Sequence, residues 1–291
     1  MRRFGRNAGP VAAVTLAIFA LWYLGAALLN LQWERDQAQR AGTEPTTWEM
    51  LAGTMSQDRP LLPAPHQVAV EIWKTTAEKK ITSRRSLVYH GWITLSATLL
   101  GFLFGTVLGM LLAIGIVHSR AMNYSVMPWV IASQTIPILA IAPMIIVVLN
   151  AIGVTGLLPK AIISMYLSFF PVVVGMVKGF RSPDQMQLDQ MRTWYASKWQ
   201  TFWKLRWPSS MPYLFTSLKI GVAAALVGTI VAELPTGAVR GLGARLLAGS
   251  YYGQTIQIWS ALLMAASLAA GLVAIVSLVE RFTLRRMGML R

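Results

Sequence analysis

Six stretches of this chain stay apolar for roughly the length of a bilayer crossing: residues 11–29, 93–116, 126–149, 161–177, 213–231 and 256–279. A helix needs about 20 residues to span ~30 Å of hydrocarbon, and a backbone in lipid must satisfy its own hydrogen bonds. The pattern predicts an all-α polytopic membrane protein with six transmembrane helices. At 55% hydrophobic and 13% charged residues over 291 positions, the chain is too apolar for a soluble domain and too long for a single anchor.

The first run follows Arg2, Arg3 and Arg6 and exceeds the ~7 to 15 residues of a secretory apolar region. Ala26-Ala27 is a poor cleavage site, so residues 1–30 read as a cytoplasmic tail and an uncleaved first helix. Residues 31–91 are polar, with eight Lys/Arg against seven Asp/Glu, and lack the positive excess of a cytoplasmic loop. They read as an extracytoplasmic segment. Within it, Leu62-Pro63-Ala64-Pro65 leads into Val68, Ile72 and Trp73, the pattern of a short interfacial helix. Residues 92–279 form a core of five further helices, and 280–291 a basic tail with Arg281, Arg285, Arg286 and Arg291.

With both termini cytoplasmic, the inside segments carry 15 basic residues against three acidic ones, and the outside segments 11 against eight. The basic excess lies inside, although Arg84 and Arg85 run against the rule. The net charge of +15 is spread through loops beside apolar runs, which argues against nucleic acid as a partner. The lack of cysteine excludes disulfides, thiolate metal sites and cysteine nucleophiles.

Small residues recur at helical spacing in two runs: Gly101, Gly105 and Gly109 in one, and Gly221, Ala225 and Gly228 in the other. Each strips a helix face down to backbone, so that another helix can approach closely. The neighbour could be in the same chain or in a second copy. The third run holds Gln134, Thr135, Pro137 and Pro143, and the fourth Tyr166, Ser168 and Pro171, residues tolerated where they meet other helices or a water-filled cavity. Glu233, at the end of the fifth run, reads as an interfacial cap, a partner for an arginine such as Arg240, or part of a solute vestibule, with a structural or gating role favoured. A glycine-rich loop over 235–252 includes Gly237, Gly241, Gly243 and Gly249, without the Gly-x-x-x-x-Gly-Lys-Ser/Thr of a phosphate-binding loop. Tyr251, Tyr252, Gln254 and Gln257 then lead into the last run.

The long polar break at 178–212 reads as two short amphipathic helices. Ser182, Pro183 and Gln185 suggest a capping box that starts the first. Leu188, Met191, Tyr195 and Trp199 give one apolar face, with Gln190, Arg192 and Lys198 pointing elsewhere. Ser197 and Gln200 repeat the box, so a second helix starts at Lys198 and is expected to stop before Pro208.

These residues resemble a family signature. ABC importer permeases carry Glu-Ala-Ala, three residues, Gly, nine residues, Ile, one residue and Leu-Pro. This chain has Asp189-Gln190-Met191, Tyr195, Leu205 and Trp207-Pro208 in the same register. The resemblance runs from about Leu62 to the C-terminus and is to the nitrate, sulfonate and taurine branch, which includes permeases for thiamine precursors and riboflavin. It extends to Gln134–Pro143, similar to the family's Gln-x-Ile-Pro-x-x-x-x-x-Pro, and to the Gly-Leu-Gly at 241–243.

The resemblance implies a type I importer permease fold in a bacterial cytoplasmic (inner) membrane, with a cytoplasmic coupling helix between the fourth and fifth spans. It implies ATPase coupling through Asp184, Leu188, Asp189, Gln190, Met191, Tyr195, Ser197, Trp199, Leu205 and Pro208. It makes Gln134 a candidate for the translocation pathway, and the polar, aromatic or acidic character of Tyr166, Ser168, Glu233, Tyr251 and Gln254 in or beside the apolar runs adds them as candidates. The implied partners are a second copy of the chain, two ATPase subunits that use ATP and Mg, an extracytoplasmic solute-binding protein and membrane lipid, with no cofactor bound by this chain. Asp189 stands where the family has glutamate and Tyr195 where it has glycine. If the turn needs a positive φ, tyrosine costs on the order of 1 kcal/mol there.

Two other classes are weaker. An intramembrane enzyme finds no His-Glu-x-x-His and no Gly-x-Ser-x-Gly, and the three histidines are His66, His90 and His118. A secondary transporter would bind its coupling ion through ionisable residues inside the spans, where only Lys160, Lys219 and Glu233 occur, all at edges. The candidate pathway residues are polar and aromatic without a basic cluster, which leans toward an uncharged or aromatic organic solute rather than an anion such as a sulfonate or nitrate.

Overall fold

The computed structural model describes residues 2–42, 44–234 and 240–289, with side chains from Gly9 onward. The side chains of Arg2, Arg3 and Arg6, Gly237 within 235–239, and Arg291 lie outside the described residues. The described elements are helices in this order: α1 (Arg2–Ala41), α2 (Thr47–Ser56), α3 (Pro65–Trp73), α4 (Leu87–His118), α5 (Arg120–Ser133), α6 (Ile138–Ala151), α7 (Leu157–Phe180), α8 (Gln185–Thr193), α9 (Lys198–Thr201), α10 (Trp207–Glu233), α11 (Leu242–Tyr251) and α12 (Thr255–Arg286). Five are long and apolar enough to cross a membrane, and α5 with α6 makes a sixth if the bent pair counts as one span.

That pair occupies the third expected span, 126–149, as two helices rather than one. The chain turns by 99° between Ser133 and Ile138. Pro137 lacks an N–H and disfavours helical geometry in the residue before it, so the ladder breaks there. The amides of Gln134 and Thr135 turn back onto the carbonyls of Ile131 and Ala132. From α7, the Tyr166 hydroxyl donates to the carbonyl of Ser133 and pins the bend.

Helix α1 runs past its expected end, through Glu34, Arg35 and Asp36, because nothing interrupts it before Gly42 adopts φ 63°.

The chain divides into two compact units. The first comprises residues 1–89 and 245–264. Its hub is Asn30, fully buried: its amide donates to the carbonyls of Thr54 (3.0 Å) and Leu62 (2.9 Å), and its side-chain oxygen accepts from the Leu61 amide at 2.9 Å. The proline lead-in is fastened by Trp22, whose indole donates to the Pro63 carbonyl at 2.9 Å and packs at a tilt against Trp259, 5.0 Å between ring centroids. Pro65 opens α3 in the first-turn position where a missing N–H costs nothing.

The second unit comprises residues 90–244 and 265–291, and α7 is its organising helix. The glycines of α4 face α7 of the same chain, which answers the question their spacing left open. A Cβ on Gly101 would lie 2.6 Å from the Ala161 carbonyl, and one on Gly109 2.8 Å from that of Phe169. Gly228 of α10 reaches α7 in the same way, 3.1 Å from the Ile163 carbonyl, and Gly221 lies 3.4 Å from that of Ser168. Ser164 adds a hydrogen bond to the Ala225 carbonyl at 2.8 Å. Below these seams Phe169, Val172, Met176 and Phe180 of α7 pack with Met211 and Phe215 of α10 in one apolar core. Lys219 pairs with Glu280 at 2.8 Å, tying α10 to α12.

Pro208 does not end the second short helix. The backbone continues from α9 through a π-helical turn, Phe202–Arg206, into α10. The Trp207 amide bonds to the Phe202 carbonyl five residues back. The widened turn makes room for a proline that would otherwise clash with a carbonyl in the preceding turn.

Candidate functional site

The 178–212 segment forms a compact helix–turn–helix, with its first cap two residues later than the sequence suggests. Asp184 is the N-cap of α8, its amide donating to Gln187 Oε1 at 3.1 Å, while the Ser182 hydroxyl donates to the Gly179 carbonyl at 2.8 Å and closes α7. An aspartate at this position also meets the positive end of the helix dipole. Helix α9 begins as expected: the Ser197 hydroxyl accepts from the Gln200 amide (3.2 Å) and Gln200 Oε1 from the Ser197 amide (2.8 Å).

Between the helices, Tyr195 has φ 50°, the one positive φ outside glycine among the described residues. The Ala196 amide bonds to the Met191 carbonyl at 3.0 Å and the Tyr195 amide to that of Arg192 at 2.9 Å, the paired bonds of a Schellman turn. The turn thus keeps the left-handed geometry that suits glycine although a tyrosine occupies it. Tyr195→Gly should relieve about 1 kcal/mol of strain. The expected result is hydrogen exchange at the Ala196 amide slowed about fivefold; unchanged exchange would show that the tyrosine is not strained.

The turn also splits the expected apolar face. Met191 is buried and Leu188 half-buried against the helix bundle, whereas Tyr195 is 97% and Trp199 69% exposed. Tyr195 and Trp199 continue the spacing of Leu188 and Met191, but α8 stops at Thr193 and the turn takes both residues out of its register. Gln190 and Ser197 are exposed, and Leu205 and Pro208 are half-buried. Asp189 is exposed and holds Arg192 Nη1 at 2.9 Å.

The sequence reading missed Phe202, a buried hub. Its ring meets Phe180, Trp203 and His118, each at 5.2 Å between centroids, and more distantly Trp199 and Trp207. The available signal was the run of aromatics three to four residues apart from Trp199 to Trp207. Arg206 Nη1 donates to the Phe180 carbonyl at 2.8 Å, so the loop is fixed to the end of α7 by rings and by a charged hydrogen bond.

The candidate pathway residues separate. Glu233 is fully buried, and its partner is Lys160, at 3.1 Å, rather than the side chain of Arg240. Lys160 also donates to the Arg240 carbonyl at 3.1 Å. Glu233 accepts from the Thr94 hydroxyl and the Gly243 amide, each at 2.9 Å. Thr94 in turn accepts from the Leu242 amide at 2.9 Å, and His90 Nδ1 from the Gly241 amide at 3.0 Å. Helices α4, α7, α10 and α11 thus meet on one buried carboxylate. Ser168 is also buried, its hydroxyl donating to the Met165 carbonyl at 3.2 Å within the seam. Gln134 lies at the α5–α6 break, half-buried, and Tyr166 pins it. In the first unit, Tyr251 is exposed, and Gln254 lines a cavity of about 480 Å3 with Glu71, Lys74, Glu78 and Arg245. Burial pushes the Arg245 guanidinium below its usual value, against the opposing pull of Glu71.

A family model described as "Binding-protein-dependent transport system inner membrane component" matches residues 105–289. The formylaminopyrimidine transport permease protein ThiX of Halalkalibacterium halodurans is 32% identical over 197 residues, covering 67% of this chain and 73% of that protein. The riboflavin transport system permease protein RibX of Chloroflexus aurantiacus is 30% identical over 225 residues, covering 77% and 80%. A putative aliphatic sulfonates transport permease protein, SsuC of Bacillus subtilis, is 25% identical over 239 residues, covering 82% of each chain.

Proposed function

This chain belongs to the binding-protein-dependent transport system inner membrane components, and from that membership we propose that its 178–212 loop receives the stroke of the ATPase and passes it to the spans. The chain is the multi-pass transmembrane subunit of an ATP-driven ABC importer. It is a transport subunit, and hydrolysis belongs to a separate ATPase. A solute-binding protein is the other partner that the family implies. In our reading the permease is a homodimer with two ATPases, both termini of each chain face the cytoplasm, and ATP and Mg are used only by the partner.

The observation that carries this reading is the division of the loop into an outward aromatic face and an anchored inner one. Tyr195 and Trp199 project from the protein, while Met191 is buried and Phe202 and Arg206 fix the same segment to α7 and α10. A push on the outer face is therefore delivered to two spans as a rigid-body displacement. Exposed tryptophan and tyrosine are also the residues on which docking energy concentrates.

Trp199→Asp is expected to weaken ATPase docking by about 2 kcal/mol or more. In proteoliposomes containing the assembled importer, solute uptake should fall at least tenfold while the permease itself stays folded. Undiminished uptake would refute the docking role.

We further propose a small heteroaromatic or otherwise uncharged organic solute. Two relatives are named for formylaminopyrimidine and riboflavin transport, and the nominated residues Gln134, Tyr166, Tyr251 and Gln254 are polar or aromatic and not basic. Uptake competition among such compounds, with sulfonate and nitrate as the anionic comparison, tests the assignment. Competition by the anions alone would reverse it.

A further inference from the structure

The 178–212 loop also borders a cavity whose basic lining the coupling role does not account for. A cavity of about 340 Å3 is bounded by Val117 and His118 at the end of α4, by Leu188, Arg192 and Ala196 around α8, and by Lys198, Thr201 and Arg206. Three cationic side chains and a histidine thus converge from separate elements, and none of these lining residues is acidic. Arg192 shares its charge with Asp189, but Arg181 adds to the field at Arg206. Positive groups gathered around one space repel each other unless an anion occupies it. The remaining walls, Val117, Leu188 and Ala196, are apolar and suit a carbon-bearing ligand rather than a bare hydrated ion.

We propose that this cavity binds a phosphate group, the headgroup of an anionic phospholipid being the source its position favours. The proposal rests on the reading that the loop faces the cytoplasm. Trp194 and Trp203 are exposed on the same segment, and tryptophan is enriched at the level of lipid headgroups. Basic pockets between helices on the cytoplasmic side are where such headgroups bind. A phosphate here bridges α8 to the ends of α4 and α10, so it stiffens the loop against the bundle without covering Tyr195 or the exposed face of Trp199.

The test uses the complete importer in phosphatidylcholine nanodiscs, first shown to hydrolyse ATP in response to its loaded binding protein. Phosphatidylglycerol is titrated in one arm and inorganic phosphate in the other, with bound ligand counted by native mass spectrometry. Arg192→Gln with Lys198→Gln should weaken binding about 30-fold, while Arg281→Gln with Arg285→Gln removes the same charge elsewhere and leaves binding unchanged. Loss confined to the lipid arm supports a lipid headgroup, and loss in the phosphate arm alone supports a free phosphate. No binding in either arm, or binding that the Arg192/Lys198 variant keeps, overturns the site in an importer whose coupling is already established.

Discussion

Replacing Glu233 by leucine is expected to destabilise the protein by about 3–5 kcal/mol, because it leaves the Lys160 ammonium buried without its counter-charge. Glu233 has no solvent exposure and receives Lys160 at 3.1 Å, Thr94 at 2.9 Å and the Gly243 amide at 2.9 Å. Its loss strands three donors together. Replacing both partners, Lys160→Met with Glu233→Leu, removes the charge along with its partner and should cost far less than the two single changes added together. Thermal unfolding of the four proteins of this cycle in nanodiscs measures the coupling. Additive effects would mean that the pair is not an energetic unit.

The second large effect is expected at the α4–α7 seam. Gly109→Leu drives a side chain against the Phe169 carbonyl and the Cβ of Val172, both 2.8 Å from where its Cβ must lie. The obstacle is backbone, so no rotamer relieves it, and the cost should be about 3 kcal/mol or more. Gly271 of α12 has nothing within 4 Å of the same position, and Gly271→Leu should be nearly neutral. Equal melting temperatures for the two variants would show that the seam is not tightly packed.

These two sites differ in how far the sequence discloses them. The seam was legible, because glycine at every fourth residue has few physical meanings in an apolar helix; only the identity of the facing helix was hidden. Glu233 was conspicuous as a carboxylate at the end of an apolar run, yet its partner lies 73 residues away in sequence, and local spacing pointed to Arg240 instead. Ser168, nominated for the pathway as a polar residue in an apolar run, is buried where Gly105 of α4 leaves room for its hydroxyl, a contact that no local spacing announces. Pro137 was read within one span, since a proline can kink a helix or end it, and the Ser133 carbonyl that Tyr166 holds is not visible in a linear chain. Pro208 misled in the opposite direction: a π-helical turn can absorb a proline, and nothing local announces one. Asn30 gave no signal at all, because a buried amide that organises a loop has the same letter as an exposed one.

The glycine seams on α7 also have a mechanical consequence. Helices held apart by side chains can slide past each other as rotamers rearrange, but α4, α7 and α10 meet backbone to backbone at Gly101, Gly109 and Gly228. Sliding one of them by even a fraction of a turn would drive the flanking larger residues into a carbonyl. The three helices are thus geared to tilt as a single slab. Opening and closing must then be absorbed where the backbone is already turned aside, at Gly153 and Gly156 before α7, both with φ near 80°, and at the break between α5 and α6.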